Sequence, residues 1–175
     1  MQIQEIDKQH YLKLSRKVSL VLIVCFAVTA MASGQFLVLT WGNPDGGNFY
    51  LNLAGVLVGV LITSLVFSFY KNDPRLTDLL YVFRLKRMLA RITNRMHKLK
   101  KGVAADDEDA QRILRFYYEG LMQVYYLESN EYGHSELVKE RDVFIEGLSE
   151  ALKEEALADL QPEFIEAVAK RYGDK

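Results

Sequence analysis

The side chains in this sequence best suited to chemistry are three histidines, one cysteine and several adjacent carboxylates. His10, His97 and His134 lie far apart, and none sits in a His-Glu-x-x-His or paired His/Cys spacing that would hold zinc. Glu131, Glu136 and Glu140 flank His134 and could make a weak carboxylate-rich metal site, but a solvated helix start is the commoner use of such residues. Glu154-Glu155 and Asp106-Asp107 read as charged helix surface. Cys25 stands inside a long apolar stretch, where a small packing residue is expected, and a lone cysteine builds neither an internal disulfide nor a thiolate metal site. No glycine-rich phosphate loop follows a strand, and no Gly-x-Ser-x-Gly elbow or Ser/His/Asp arrangement is legible. The expectation is a protein that is not an enzyme, with no cofactor, no metal and no evident small-molecule substrate.

The elements that would have to position any site are dominated by residues 18–70. Between Lys17 and Asp45 no charged residue occurs, and none occurs again before Lys71. Each apolar run is long enough, at about 1.5 Å per helical residue, to cross a hydrocarbon core roughly 30 Å thick. The spans are expected at about 18–40 and 50–70. They are joined by a short turn, Asn43-Pro44-Asp45-Gly46-Gly47, whose Pro and Gly supply the backbone angles. A cleaved leader ending near Ala30-Met31-Ala32 is the rival. It is disfavoured because the apolar run continues through Phe36-Leu37-Val38-Leu39 and because Glu5 and Asp7 interrupt the basic start. Residues 1–17, with Ile3, Ile6, His10 or Tyr11, and Leu14 at helical spacing, suggest a separate amphipathic helix at the membrane interface.

Trp41, Phe49 and Tyr50 gather at the turn end of the spans, with Tyr11 and Tyr70 at the other, as in aromatic belts. The net charge of −1 hides an asymmetry: residues 71–101 hold ten Lys/Arg against two Asp, and residues 102–175 hold eight basic against eighteen acidic residues. The turn carries no Lys or Arg while both outer flanks are rich in them, so both termini are expected in the cytoplasm. Ala30-x-x-x-Gly34 and Gly55-x-x-x-Gly59 put small residues one turn apart. They predict either packing of the two spans on each other or dimerisation through the Gly55/Gly59 face. No ionisable residue lies within the spans, which argues against a transporter.

The region 71–175 reads as a small cytoplasmic helical domain, with helices expected at about 74–101, 107–129, 135–158 and 162–172. In the first, Val82, Leu85, Leu89, Ile92, Met96 and Leu99 recur by threes and fours as a coiled-coil seam fit for self-association. Arg84, Lys86, Arg87 and Arg91 cover its other faces. They could touch anionic headgroups or pair with the acidic helices beyond, whereas specific nucleic-acid binding is not expected. In the second, Ile113, Tyr117, Leu121, Val124 and Tyr125 should face the core, leaving Tyr118 and Tyr126 outside as partner-binding anchors. The fold class is therefore all-α: a two-helix transmembrane hairpin, a long amphipathic helix and a small helical domain.

The Glu5-Ile6-Asp7-Lys8 start leading to Tyr11, the two-span hairpin, and the Tyr81-Val82-Phe83-x-Leu85-Lys86 helix resemble a family of small two-span bacterial inner-membrane proteins of unknown function. The resemblance implies a multi-pass inner-membrane location and carries over no activity, cofactor or site residue. Together these readings lead to the expectation of a membrane-anchored scaffold whose helices bind a protein partner or a second copy. The alternative is an oligomeric pore packed through Gly55 and Gly59, with Asp45 at its outer mouth.

Overall fold

Residues 2–7 carry too few apolar side chains to hold a helix of their own, and in the computed structural model they form none. The first helix, α1, begins at Lys8 and runs without a break to Trp41, so the expected separate helix over residues 1–17 is replaced by an extended segment and the first turns of α1. The structure describes residues 1–71, 73–157 and 159–173. Among these no strand occurs, and the fold is all-α. The expected end of a helix at Ala158 lies outside the described residues, as do Asn72, Asp174 and Lys175.

The chain divides into two units, one made of residues 9–80 and the other of residues 1–8 with 81–175. The first contains most of α1 together with α2 (Phe49–Tyr70), and both helices are long and apolar enough to cross a membrane. The turn between them is held by its asparagines. Asn43 N–H donates to Asn48 Oδ1 at 2.8 Å, and Asn48 Nδ2 returns a bond to the Asn43 carbonyl at 3.0 Å. Gly46 and Gly47 take φ of 101° and 78°, the left-handed region that a side chain disfavours. After α2 a 3₁₀ turn (Pro74–Leu76) opens with Asp73, whose carboxylate accepts from the Arg75 N–H at 2.9 Å.

The second unit is built on α3 (Thr77–Ala104), from Tyr81 onward, and α4 (Glu108–Glu128). Gly120 of α4 lets the helices approach closely: a Cβ there would lie 3.1 Å from methyls of both Leu85 and Leu89. Between them Val82, Leu85, Leu89, Ile92, Leu99, Ile113, Phe116 and Leu127 are buried, each worth roughly 1.5–3 kcal/mol when removed from water. Then follow α5 (His134–Glu146), α6 (Glu150–Glu154) and α7 (Pro162–Arg171).

The single helix expected over 135–158 is thus two. Gly147 ends α5, and Ser149 starts α6 by accepting from the Leu152 N–H at 3.4 Å. Arg115 of α4 then donates to the carbonyls of Leu152, Lys153 and Glu155, which satisfies the C-terminal end of α6 and keeps it short.

Asp107 ties the α3–α4 corner to the last helix. Its carboxylate accepts from the N–H groups of Asp109 (2.9 Å) and Ala110 (3.4 Å) as the α4 N-cap, from Tyr172 Oη at 2.8 Å, and from Arg171 at 3.2 Å. Burial alone would raise its carboxyl, but these four donors together hold it below the ordinary carboxylate range. A carboxyl depressed in the folded state adds stability that is present above its unfolded value of about 3.9 and lost as pH falls through the folded one. The helical unit should therefore lose stability on acidification below about pH 4. Asp107→Ala should cost about 1–2 kcal/mol at pH 7 and flatten that acid limb, as read by thermal unfolding of the purified chain at a series of pH values.

Candidate functional site

Within the 9–80 unit the four small residues singled out by the sequence meet. A Cβ on Gly55 would fall 2.4 Å from Gly34 Cα, and one on Gly59 would fall 2.7 Å from Ala30 Cβ. Gly55 and Gly59 are buried in this contact, and Ser33 Oγ donates to the Gly55 carbonyl at 3.1 Å beside it. The Gly55/Gly59 face is thus packed on the hairpin's own partner helix, the first of the two uses that the small residues predicted.

The seam on α3 has met the same fate. Val82, Leu85, Leu89, Ile92 and Leu99 are buried within a single chain, and Met96 is half-buried. Its three-and-four spacing reflects packing on α4, so the expected self-association seam is corrected to domain core. Spacing alone reports that a helix has an apolar stripe, not whose helix covers it.

Tyr118 was expected outside the core and is buried. Its ring stacks against Phe144 of α5, with centroids 5.2 Å apart, and burial followed by the charge of Glu140 raises its hydroxyl above the usual range. Phe116 is fully buried while Tyr117, Leu121 and Tyr125 are only half-buried, so the core face of α4 is rotated from the expected one. The physical reason is that α4 is covered on two sides, by α3 and by α5, whereas a single-stripe reading allows one.

Tyr126 is exposed as expected, and Lys8 Nζ lies 4.5 Å above its ring, a cation–π contact that sequence separation hid. These two residues line a cavity of about 360 Å³ with Ser129, Glu131, His134 and Ser135. Glu131 and His134 do come near each other there. Among the described residues, however, no three His, Cys, Asp or Glu side chains stand close enough to hold a metal ion, so the Glu131/His134/Glu136 alternative lacks its ligand set.

The polar residues that the sequence did not single out are Gln4, Tyr81 and Gln123. Tyr81 is buried with its hydroxyl accepting from Gln4 N–H and donating to Gln123 Oε1, both at 2.8 Å. Gln123 in turn donates to the Gln4 carbonyl. Burial raises the Tyr81 hydroxyl, partly offset by these two bonds. Further along, Leu160 N–H donates to the Met1 carbonyl at 3.1 Å, and the Met1 amine meets Asp159 and the Leu160 carbonyl. Residues 1–4 are thus laced onto the same body as residues 81–173. The one signal for this in the sequence is Tyr81 itself, a tyrosine on an otherwise apolar face that needs a hydroxyl partner.

The remaining charged surface is the outer face of α3. Lys86 pairs with Glu128, and Arg95 with Glu166 at 3.0 Å, so part of the basic segment is neutralised by the acidic helices. Arg84, Arg87 and Arg91 follow one another at three and four residues on the exposed side, next to Phe83, which is 58 % exposed. Among the described residues Arg87 and Arg91 make no ion pair. This stripe of guanidinium groups beside an aromatic ring is the candidate interface.

Over residues 1–162 the sequence matches the family described as "Protein of unknown function (DUF3087)". No curated protein and no solved structure matches the chain.

If the Gly55/Gly59 face belongs to the hairpin, Gly55→Leu should force the helices apart and lower the thermal stability of the purified chain by several degrees. Leu61→Ala, at an exposed position, should leave it unchanged. Overpacking of this kind costs about 1–3 kcal/mol. An unchanged melting temperature together with loss of a dimer would assign the face to a second copy instead.

Proposed function

We propose, for a chain that belongs to the DUF3087 family of proteins of unknown function, a membrane-anchored interaction protein that acts by binding and not by catalysis. The observation that carries this reading is where the apolar side chains of α1 and α2 point. Ile23, Met31, Leu39, Leu61 and Phe69 are 60–84 % exposed along two helices that bury little except the Gly/Ala contact between them. A soluble protein rarely leaves a continuous apolar surface beyond a few hundred Å². Hydrocarbon is the solvent that suits both helices.

The finer reading places the chain as a two-span protein of the bacterial inner membrane with both termini in the cytoplasm. It is supported by the basic flanks at Lys13, Arg16, Lys17 and Lys71 against a turn that lacks Lys and Arg, and by the shared folded body of the chain's beginning and end. The inner-membrane assignment follows from the resemblance to small two-span proteins there.

In this role the hairpin holds the helical unit at the membrane, and the Arg84/Arg87/Arg91 stripe with Phe83 meets an anionic surface. Planar guanidinium groups pair with phosphate or carboxylate oxygens, and a neighbouring ring adds apolar contact. Anionic headgroups or an acidic protein partner both satisfy this chemistry.

A photo-crosslinking amino acid at Phe83 in cells separates them by the mass of the adduct. The expected result is a defined adduct whose yield falls severalfold in Arg87→Glu/Arg91→Glu, with none from position 118, which is buried. No adduct at position 83, or a yield indifferent to both charge reversals, would contradict the binding role of this face.

A further inference from the structure

The residues that face each other across the two spans change in size along the hairpin. The spans touch closely where Ala30 and Gly34 face Gly55 and Gly59, and Thr63 Oγ1 still lies 3.9 Å from Cys25 Sγ one turn further on. Beyond that point the facing side chains become bulky: Val21, Val18 and Leu14 on α1, Val66 and Phe67 on α2. Side chains of that size hold two helix backbones apart, where glycine and alanine let them meet. The result is an open groove of about 400 Å³ between the helices, at the end that carries the chain's basic flanks. That volume is within the range of roughly 300–1,000 Å³ typical of small-molecule sites.

The walls of the groove are almost wholly apolar and its rim is charged. Lys17 stands on one rim. On the other stand Arg75 and Asp73, joined through Arg75 Nη2 and Asp73 Oδ2 at 2.7 Å. Arg75 holds the Asp73 carboxyl down at about 2, so it remains ionised at any physiological pH. Two cations against one carboxylate leave the rim with one net positive charge, and Lys17 is exposed and makes no ion pair among the described residues. An occupant should therefore be apolar along most of its length and carry one negative charge at its head.

A peptide segment fits poorly, because apolar walls offer its backbone N–H and C=O groups no partners. A second copy of the hairpin presents apolar side chains, but it would bring a rim of the same net positive charge against this one, because its Asp73 is already paired with its own Arg75. A phospholipid meets both demands.

We propose that this groove is a binding site for one anionic phospholipid, with an acyl chain lying along Val18, Val21, Leu22, Val66 and Phe67 and the phosphate between Lys17 and Arg75. The site is separate from the arginine stripe on α3 and rests on the reading of α1 and α2 as membrane spans. A lipid seated there would fill the space where the two helices part and fix their separation. The hairpin would thus sense the charge of the lipid around it.

Native mass spectrometry of the full chain, transferred from nanodiscs of equal phosphatidylglycerol and phosphatidylethanolamine, tests this. One phosphatidylglycerol should survive on each chain at energies that strip the bulk lipid. Its preference over phosphatidylethanolamine should be about fivefold or more per engaged cation. Lys17→Gln should lower retention by a similar factor and Lys17→Arg should restore it, while Val18→Trp, which fills the groove, should abolish retention of both lipids.

Equal retention of the two lipids, or no effect of Lys17→Gln, overturns the site. A dimer or a bound peptide that disappears in Val18→Trp overturns it too, in favour of that occupant. Should Val18→Trp fail to fold, the exposed Lys17 pair of variants decides alone. Release of the wild-type chain from membranes by alkaline carbonate would instead overturn the reading of α1 and α2 as spans, so the two failures are distinguishable.

Discussion

The first four residues are fastened by hydrogen bonds to groups contributed from Tyr81, Gln123 and Leu160, far away in sequence. This lacing is the constraint on which the rest depends. Residues 1–8 and 81–173 belong to one unit, so the segment between them has to leave that body and come back to it. Two long apolar helices joined by a turn do that, and each bonds its backbone groups within itself. Buried as it is, the Tyr81 hydroxyl would be costly without Gln4 and Gln123, and that cost is what makes the fastening specific rather than a loose apposition.

The two units follow different packing rules. In residues 9–80 the contact is made by Ala30, Gly34, Gly55 and Gly59, and large side chains face outward. Close backbone approach and the Ser33 hydrogen bond to Gly55 provide the attraction there. In the other unit large side chains such as Phe116, Leu85 and Ile92 face inward, and charged ones face out in mixed pairs such as Arg112 with Glu155. The same chain thus turns its apolar residues out in one half and in in the other. Such an inversion is the observation behind the proposal that lipid surrounds one half and water the other.

Much of this was legible in the sequence and some was not, for physical reasons. Uncharged runs of twenty residues and small residues one turn apart announce the hairpin directly, because both signals are local. The seam on α3 was legible as an apolar stripe, but its partner was not. The heptad spacing of Val82 to Leu99 is satisfied equally by a second chain and by α4, and only the closeness allowed by Gly120 decides for α4. Tyr118 was misplaced because α4 is covered by two neighbours, which a single-face wheel cannot represent. The break at Gly147–Ser149 was visible in residue type, yet it competes with an apolar pattern that runs on to Leu152; Arg115 collecting the α6 carbonyls decides it. For the role of residues 1–4 the sequence offers only Tyr81, which asks for a hydroxyl partner without saying where it comes from. A short extended segment bonded through its backbone leaves no periodicity, and its partners are far away in sequence.

The central proposal is that lipid surrounds the two helices over about residues 18–40 and 50–70 and that the residues before and after them lie on one side of it. Single cysteines in a Cys25→Ala background measure this most directly, one at Asp45 in the turn and one at Tyr132 in the helical unit, each exposed to a membrane-impermeant maleimide. The account predicts that Asp45→Cys labels in cells whose inner membrane is intact and that Tyr132→Cys labels only once that membrane is opened. Labelling of Tyr132→Cys in intact cells, or of neither site until lysis, would contradict it.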